Sequence, residues 1–168
     1  MGVDSMDLFE EWLNKKDDSK CKKKDREWVR RALFDDSNKK VYEKKHCEPY
    51  KGKTNSELAT YGDAIIKFCY SKILFDNYAA KYPNLTEAKK DYESDKVFVT
   101  KVARHYNLIN YIDFDGDDGN LRQDYEYDKN VNQHKYIATA VEAMIGAIYI
   151  VTKDLDAIIK LVETWMTF

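Results

Sequence analysis

The sequence predicts an all-α fold, on three observations. Hydrophobic residues make up 43% of the chain and aromatics 14%, too apolar a composition for disorder. Only two prolines interrupt helix formation along 168 residues, a length that suits one domain with its own core. Apolar residues also recur at three- and four-residue spacing in segment after segment, the period of a helix with one buried face.

The elements follow in order. Met6, Phe9, Trp12 and Leu13 predict a short amphipathic helix, read as a docking helix. From Lys15 to Arg31 nine Lys or Arg stand against four acids, the main basic patch, which suits a solvated linker or a nucleic-acid contact. Residues 1–27 are therefore read as an N-terminal helix and basic linker, and 28–168 as the domain proper. Trp28, Val29, Ala32 and Leu33 form a helical face that stops near Asp35-Asp36-Ser37, residues suited to turns and caps. A polar connection leads to Thr54.

Asn55 to Asp76 reads as a long helix with Leu58, Tyr61, Ile65, Phe68, Cys69 and Ile73 on one stripe. Gly62 interrupts that stripe at a cost of roughly 1 kcal/mol against alanine, which points to a second backbone packed close against it. Pro83 and Thr86 open a helical pair carrying Val97, Val99, Val102, Ala103, Tyr106 and Leu108. Asp113 to Asp128 holds seven acids and one arginine and reads as an acidic loop inserted near 113–130. Ile137–Tyr149 and Leu155–Trp165 are two further amphipathic helices.

Charge and cysteines narrow the function. Twenty-eight Lys or Arg against thirty acids give a net charge of −2, so any attraction to nucleic acid must come from a local patch. The longest apolar run, Ala143 to Val151, is about half of the roughly 20 residues a membrane helix needs, and no secretory core stands at the N-terminus. Three irregularly spaced cysteines without a CxxC pair fit a reduced setting, cytoplasmic or nuclear. The expectation is an intracellular, non-secreted protein without a membrane partner.

Two acids lie inside otherwise apolar helices: Asp63 in YGDAIIKF and Glu142 in TAVEAMIGAIY. A carboxylate among apolar residues needs a partner or a metal. A salt bridge or an exposed helix edge would suffice for either taken alone.

The words around them are recognisable. Asn55-Ser-Glu-Leu-Ala-Thr-Tyr-Gly-Asp-Ala64 resembles the signature helix of the ribonuclease III endonuclease domain, usually of the form NERLEFLGDA. Thr139-Ala-Val-Glu-Ala-Met-Ile-Gly-Ala-Ile-Tyr149 resembles that family's DTxEALIGAIYLD helix, and Ala32-Leu-Phe-Asp-Asp-Ser37 is similar to its ALTHxS helix end. The three motifs stand in the family's order. The family's usual site holds four acids, yet Ala59 and Thr139 stand at two of those positions, leaving Asp63 and Glu142. The same reduction characterises the Mini-III branch, whose LAYIGDA and STAFEALIG resemble LATYGDA and ATAVEAMIG here.

The resemblance implies a ribonuclease III-like helical bundle that forms a homodimer through its signature helix, with Thr60 and Tyr61 in the seam. It implies a Mg²⁺-dependent endoribonuclease, with Mn²⁺ able to substitute, that cuts double-stranded or structured RNA to 5′-phosphate and 3′-hydroxyl ends. Asp63 and Glu142 would be catalytic residues and metal ligands; one or two carboxylates with waters and phosphate oxygens suit Mg²⁺. A neighbouring acid, Glu57 or Asp95, would serve a second ion, although Glu57 lies about 600° around the helix from Asp63 and so off its face. Lys20, Lys22, Lys23, Lys24, Lys39 and Lys40 are the candidate RNA-binding residues. The chain ends just after its last helix, so a separate RNA-binding partner or a longer parent chain is expected to add affinity. The alternative is a catalytically degenerate module that binds RNA or heterodimerises within a larger RNA-processing or ribosomal particle.

Other sites fare worse. Asp113-Phe-Asp-Gly-Asp-Asp-Gly119 starts like a calcium loop, but Asp118 replaces the glycine required at its sixth position and Asp124 the glutamate at its twelfth. His46, His105 and His134 have no metal-ligand spacing.

Overall fold

The structure, a computed structural model, describes residues 6–35, 54–78, 81, 84–113 and 134–168. Those residues form helices α1 (Leu8–Asn14), α2 (Lys23–Ala32), α3 (Ser56–Tyr78), α4 (Leu85–Lys90), α5 (Asp95–Val97), α6 (Ala103–His105), α7 (Lys135–Thr152) and α8 (Leu155–Trp165). Among the described residues there is no strand, only one isolated parallel bridge between Phe34 and Asp113. The all-α prediction holds.

Two long helices organise the bundle. α3 and α7 make its most extensive contact, with α2 packed on α7 and α8 on α3. By length and composition α7 resembles a membrane span, yet ten of its eighteen residues are buried among the other helices. It is the core helix.

Local chemistry fixes the ends. Asp7 accepts the Glu10 amide at the start of α1, Asn84 accepts the Thr86 and Glu87 amides before α4, and Asp154 accepts the Ala157 amide before α8. Each satisfies donors a helix start leaves bare, for about 1 kcal/mol. Lys153 turns left-handed at φ 55°, ends α7 and lets α8 fold back.

Four expectations are revised. First, α1 is no appendage: Phe9, Trp12 and Leu13 are buried in the common core, each worth about 1.5–3 kcal/mol. Tyr106 hydroxyl donates to Asp7 and accepts from Trp165 Nε1 at 3.0 Å, tying α1 to α8. Second, α2 begins at Lys23, so position 27/28 falls inside a helix: the charged residues from Lys23 form its first turns and Val29 and Ala32 its buried face. Third, Tyr61 and Phe68 leave the core; they are 42% and 50% exposed. α3 is apolar on two faces, and only Leu58, Ile65, Cys69 and Ile73 of the predicted stripe turn inward.

Fourth, the segment carrying Val97 to Tyr106 is helical but not uniformly so. Between α5 and α6 the residues Phe98–Val102 form a wide π turn, in which the Ala103 amide donates to the Phe98 carbonyl five residues back. The extra residue per turn lets Phe98, Val99 and Val102 all reach the core. The acidic loop lies, apart from Asp113, outside the described residues, as do Lys39 and Lys40.

Candidate active site

Glycine sets the site's geometry. Where α3 crosses α7, a Cβ on Gly62 would stand 1.8 Å from the Glu142 carbonyl oxygen, and one on Gly146 would stand 2.5 Å from the Leu58 carbonyl oxygen. No side chain fits at either position, so the two backbones touch. Asp63 follows Gly62 directly and Glu142 lies one turn before Gly146. The crossing that needs both glycines therefore sets the two carboxylates side by side.

They open into a groove of about 620 Å³. Its rim and walls also carry Asp35, Asn55, Ala59, Thr60, Lys67, Glu93, Asp95, Lys135 and Thr139. Three chain segments are stapled together at one end: the Asp113 amide donates to Leu33 O, the Asp35 amide to Asp113 O, and the Asn55 amide to Phe34 O. Lys16 reinforces that staple from below, donating to Tyr111 O at 2.5 Å and to Asp113 Oδ1 at 2.9 Å. It fixes Asp35 and Asn55 beside the start of α3.

The carboxylates differ in their surroundings. Asp63, about a third exposed, accepts from Lys67 Nζ at 2.7 Å through Oδ2. Glu142 is more enclosed, and burial first, then the charges of Asp63 and Asp95, push its pKa up to about 7. Glu93 lies on the same wall and meets Lys89 at 3.5 Å.

Asn55 is the oddity. Its side chain is fully buried, and neither its amide nitrogen nor its oxygen finds a hydrogen-bond partner among the described residues. An orphaned buried amide costs about 1–3 kcal/mol, a cost this fold carries directly behind the groove.

The predicted residues thus divide. Asp63, Glu142, Asp95 and Thr60 line the groove. Glu57 does not: it is exposed and paired with Arg31, whose Nε also holds Thr54 O at 3.2 Å. Tyr61 packs near Tyr149 at the exposed surface, ring centroids 6.1 Å apart. Lys20, Lys22, Lys23 and Lys24 are exposed around the start of α2, while Lys15, Lys16, Arg26 and Arg30 from the same basic run are half-buried and hold structure together. Sequence reasoning passed over Asn55, Lys67, Glu93 and Lys135 as site residues. Lys67 was findable, since a lysine four residues after an aspartate faces it on a helix. Glu93 was not, because only the turn into α5 brings it alongside α7.

Ala59 and Thr139 stand where further ligands would be needed. Ala59 is buried, and the Thr139 hydroxyl donates to Lys135 O within its own helix at 3.1 Å. Among the described residues no cluster of three or more His, Cys, Asp or Glu is close enough to hold a metal ion unaided. Two carboxylates with a buried amide nearby form an all-oxygen donor set that fits a hard ion such as Mg²⁺, with water and phosphate oxygens completing its shell.

Two solved structures of the nuclease domain of ribonuclease III from Campylobacter jejuni share this fold, each with TM-score 0.62 and 21% identity, covering 95% of this chain and 91% or 88% of theirs. One of them is described as flexible in a region involved in dimer formation. No curated protein matches the sequence. The family model for the ribonuclease III domain matches residues 56–153, the stretch that begins with α3 and ends just past α7. With both glycine-crossed helices and the groove between them inside that match, the chain belongs to the ribonuclease III domain family.

Proposed function

We propose that the protein is a Mg²⁺-dependent endoribonuclease that cuts double-stranded or structured RNA as a homodimer, leaving 5′-phosphate and 3′-hydroxyl ends. The observation that carries this reading is the convergence of Asp63 and Glu142 in one groove at the Gly62–Gly146 crossing. Mn²⁺ should substitute for Mg²⁺ at such an oxygen site.

Asp63 and Glu142 would hold the ion, whose chemistry is to lower the pKa of a bound water and to draw charge from the phosphate. The chain's own part is positioning. Asp63 presents one oxygen to the groove while Lys67 restrains the other. Glu142, whose pKa is raised to about 7, would have to be in its ionised form to hold the ion. Hydrolysis then forms a bond from water oxygen to phosphorus, breaks the bond from phosphorus to the 3′ oxygen, and delivers the water's proton to solvent or to that leaving oxygen.

Two surface features support an RNA substrate and a dimer. Lys23 and Lys24 sit in the first turn of α2 and Lys22 caps it, where the helix dipole disfavours cations by about 0.3–1 kcal/mol each. A helix that keeps lysines at its unfavourable end has a use for them, and phosphate contact is such a use; binding should weaken steeply with salt. On α3, Tyr61, Phe68 and Phe75 are exposed at seven-residue intervals beside a 550 Å³ groove lined by Phe68, Leu74, Phe75 and Leu85. A second copy of the chain, bringing the same stripe, would cover it by twofold symmetry. Phe68→Lys with Phe75→Lys should convert the dimer to monomer in sedimentation.

The deciding experiment is incubation of a labelled RNA duplex with the protein in Mg²⁺, Mn²⁺ or chelator. Cleavage should need the metal and fall by about 100-fold or more in Asp63→Asn and Glu142→Gln, the order lost with one charged group acting in the transition state. The alternative, a non-catalytic RNA-binding or heterodimerising module, is favoured by Ala59 and Thr139. It would give duplex binding without cleavage under every metal.

A further inference from the structure

The groove carries a cation of its own. Lys67 Nζ lies 2.7 Å from Asp63 Oδ2, half-exposed, with its ammonium at the groove wall. Glu93 and Glu142 add their negative potential to that of Asp63 at this spot. The other lysines nearby are placed differently: Lys89 answers Glu93, and Lys135 lines the groove on the α7 side, where its charge acts on Glu142.

Resting on the nuclease reading above, we infer that Lys67 supplies the second positive charge of the active site. On this view each subunit works with one divalent ion, and the Lys67 ammonium meets the phosphate where a second ion would otherwise be needed. The residues at hand favour that arrangement. Ala59 offers no ligand, Thr139 spends its hydroxyl on its own helix, and Glu57 is turned away to Arg31. Lys67 already occupies one of the two Asp63 oxygens, Oδ2.

The five acids lining the groove, Asp35, Asp63, Glu93, Asp95 and Glu142, face two lysines, Lys67 and Lys135, and of these Lys67 is the one bound to Asp63. A second divalent ion beside Asp63 would sit against that ammonium and be repelled by it. The Asp63–Lys67 pair is also easily loosened, because a partly exposed pair four residues apart on a helix is held only weakly. Lys67 can therefore lean from Asp63 toward the substrate without disturbing α3.

The test uses the full chain as wild type, Lys67→Gln, Lys67→Arg and Asp63→Asn. Mn²⁺ binding is followed by calorimetry and electron paramagnetic resonance, and cleavage by labelled duplex. Wild type should bind one Mn²⁺ per subunit, lost in Asp63→Asn. Lys67→Gln should bind Mn²⁺ no more weakly, and about twofold more tightly where the competing ammonium is gone. Its kcat should nevertheless fall by about 100-fold at saturating metal, with KM within about threefold, and Lys67→Arg should recover part of the loss.

A merely structural lysine would leave kcat untouched, and that result overturns the inference while the nuclease reading stands. Two Mn²⁺ per subunit, both lost in Asp63→Asn, would overturn it as well. Mn²⁺ binding by Lys67→Gln but not by wild type would support Lys67 as the occupant of the cation position and count against the nuclease reading. No binding by either, with helicity intact, would overturn both.

Discussion

The two walls of the groove contribute one carboxylate each, and they do so in opposite ways. The α3 wall presents Asp63 to water with a lysine already bound to it. The α7 wall presents Glu142 from an enclosed position, where burial and neighbouring acids hold its pKa near 7. One side is a charge kept ready by a partner, the other a charge whose formation is opposed until a cation arrives. A metal bound between them gains from the first wall at once and, at pH below 7, must displace a proton from the second.

The largest break in this comparison comes from removing the crossing that creates it. In an open helix Gly62→Ala should stabilise by up to about 1 kcal/mol through helix propensity. Here the new methyl would meet the Glu142 carbonyl at 1.8 Å, a backbone atom that cannot swing aside. Gly62→Ala should instead destabilise by at least about 3 kcal/mol, the upper end of what overpacked cores cost, and separate the two carboxylates. Chemical denaturation gives the sign directly. A stabilised variant would show that the helices do not touch at this point.

The next prediction sharpens the contrast between walls. Glu142→Gln and Asp63→Asn should both abolish cleavage, but their effects on stability at pH 8 should differ in sign. Replacing Glu142 by a neutral amide relieves its desolvation and its repulsion by Asp63 and Asp95, a gain of about 1–2 kcal/mol after allowance for solvent screening. Asp63→Asn loses the pair with Lys67 and should cost less than about 1 kcal/mol. Thermal unfolding of the metal-free proteins reads both. Equal shifts would mean that the walls do not differ.

Titration follows from the same asymmetry. Glu142 has a folded-state pKa of about 7 against an ordinary value of 4.5. Between those values the folded chain retains a proton that the unfolded chain releases, so the metal-free protein should lose stability as pH rises from about 4.5 to 7 through this group. Metal needs the ionised form, so Mn²⁺ affinity should rise over pH 6 to 8 and level off above. The Glu142→Gln variant should lose that slope.

Much of this was legible in the residues, for reasons that can be named. Asp63 and Glu142 stood out because a charge in an apolar helix demands an explanation, and Gly62 because a mid-helix glycine is costly without a close neighbour. The long helices were visible because their apolar period is sustained for several turns. What escaped was set by tertiary contact. α3 is apolar on two sides, so periodicity alone merged Tyr61 and Phe68 with the buried stripe, although they face outward. The π turn shifts the register after Phe98, and no local pattern announces it. Glu93 joined the groove only through the path of the chain between α4 and α5. The orphaned Asn55 amide is a property of its surroundings and has no signature in the motif.

The smallest effect belongs to Glu57, which lies on α3 with Asp63 but serves a different purpose. Its carboxylate is exposed and paired with Arg31 across to α2, near the Thr54 carbonyl that the same guanidinium holds. That pairing joins the start of α3 to the end of α2 and leaves nothing for the groove. Glu57→Gln should therefore keep Mn²⁺ affinity and cleavage within about twofold of wild type and cost less than about 1 kcal/mol, as exposed ion pairs do. Arg31→Ala should cost somewhat more, since it also releases Thr54 O and the stacking of the guanidinium over Trp28 at 5.5 Å. A tenfold loss of metal affinity in Glu57→Gln would instead return this acid to the site and extend the α3 wall by nearly two helical turns. The contrast between one paired and one buried carboxylate would then no longer describe the groove.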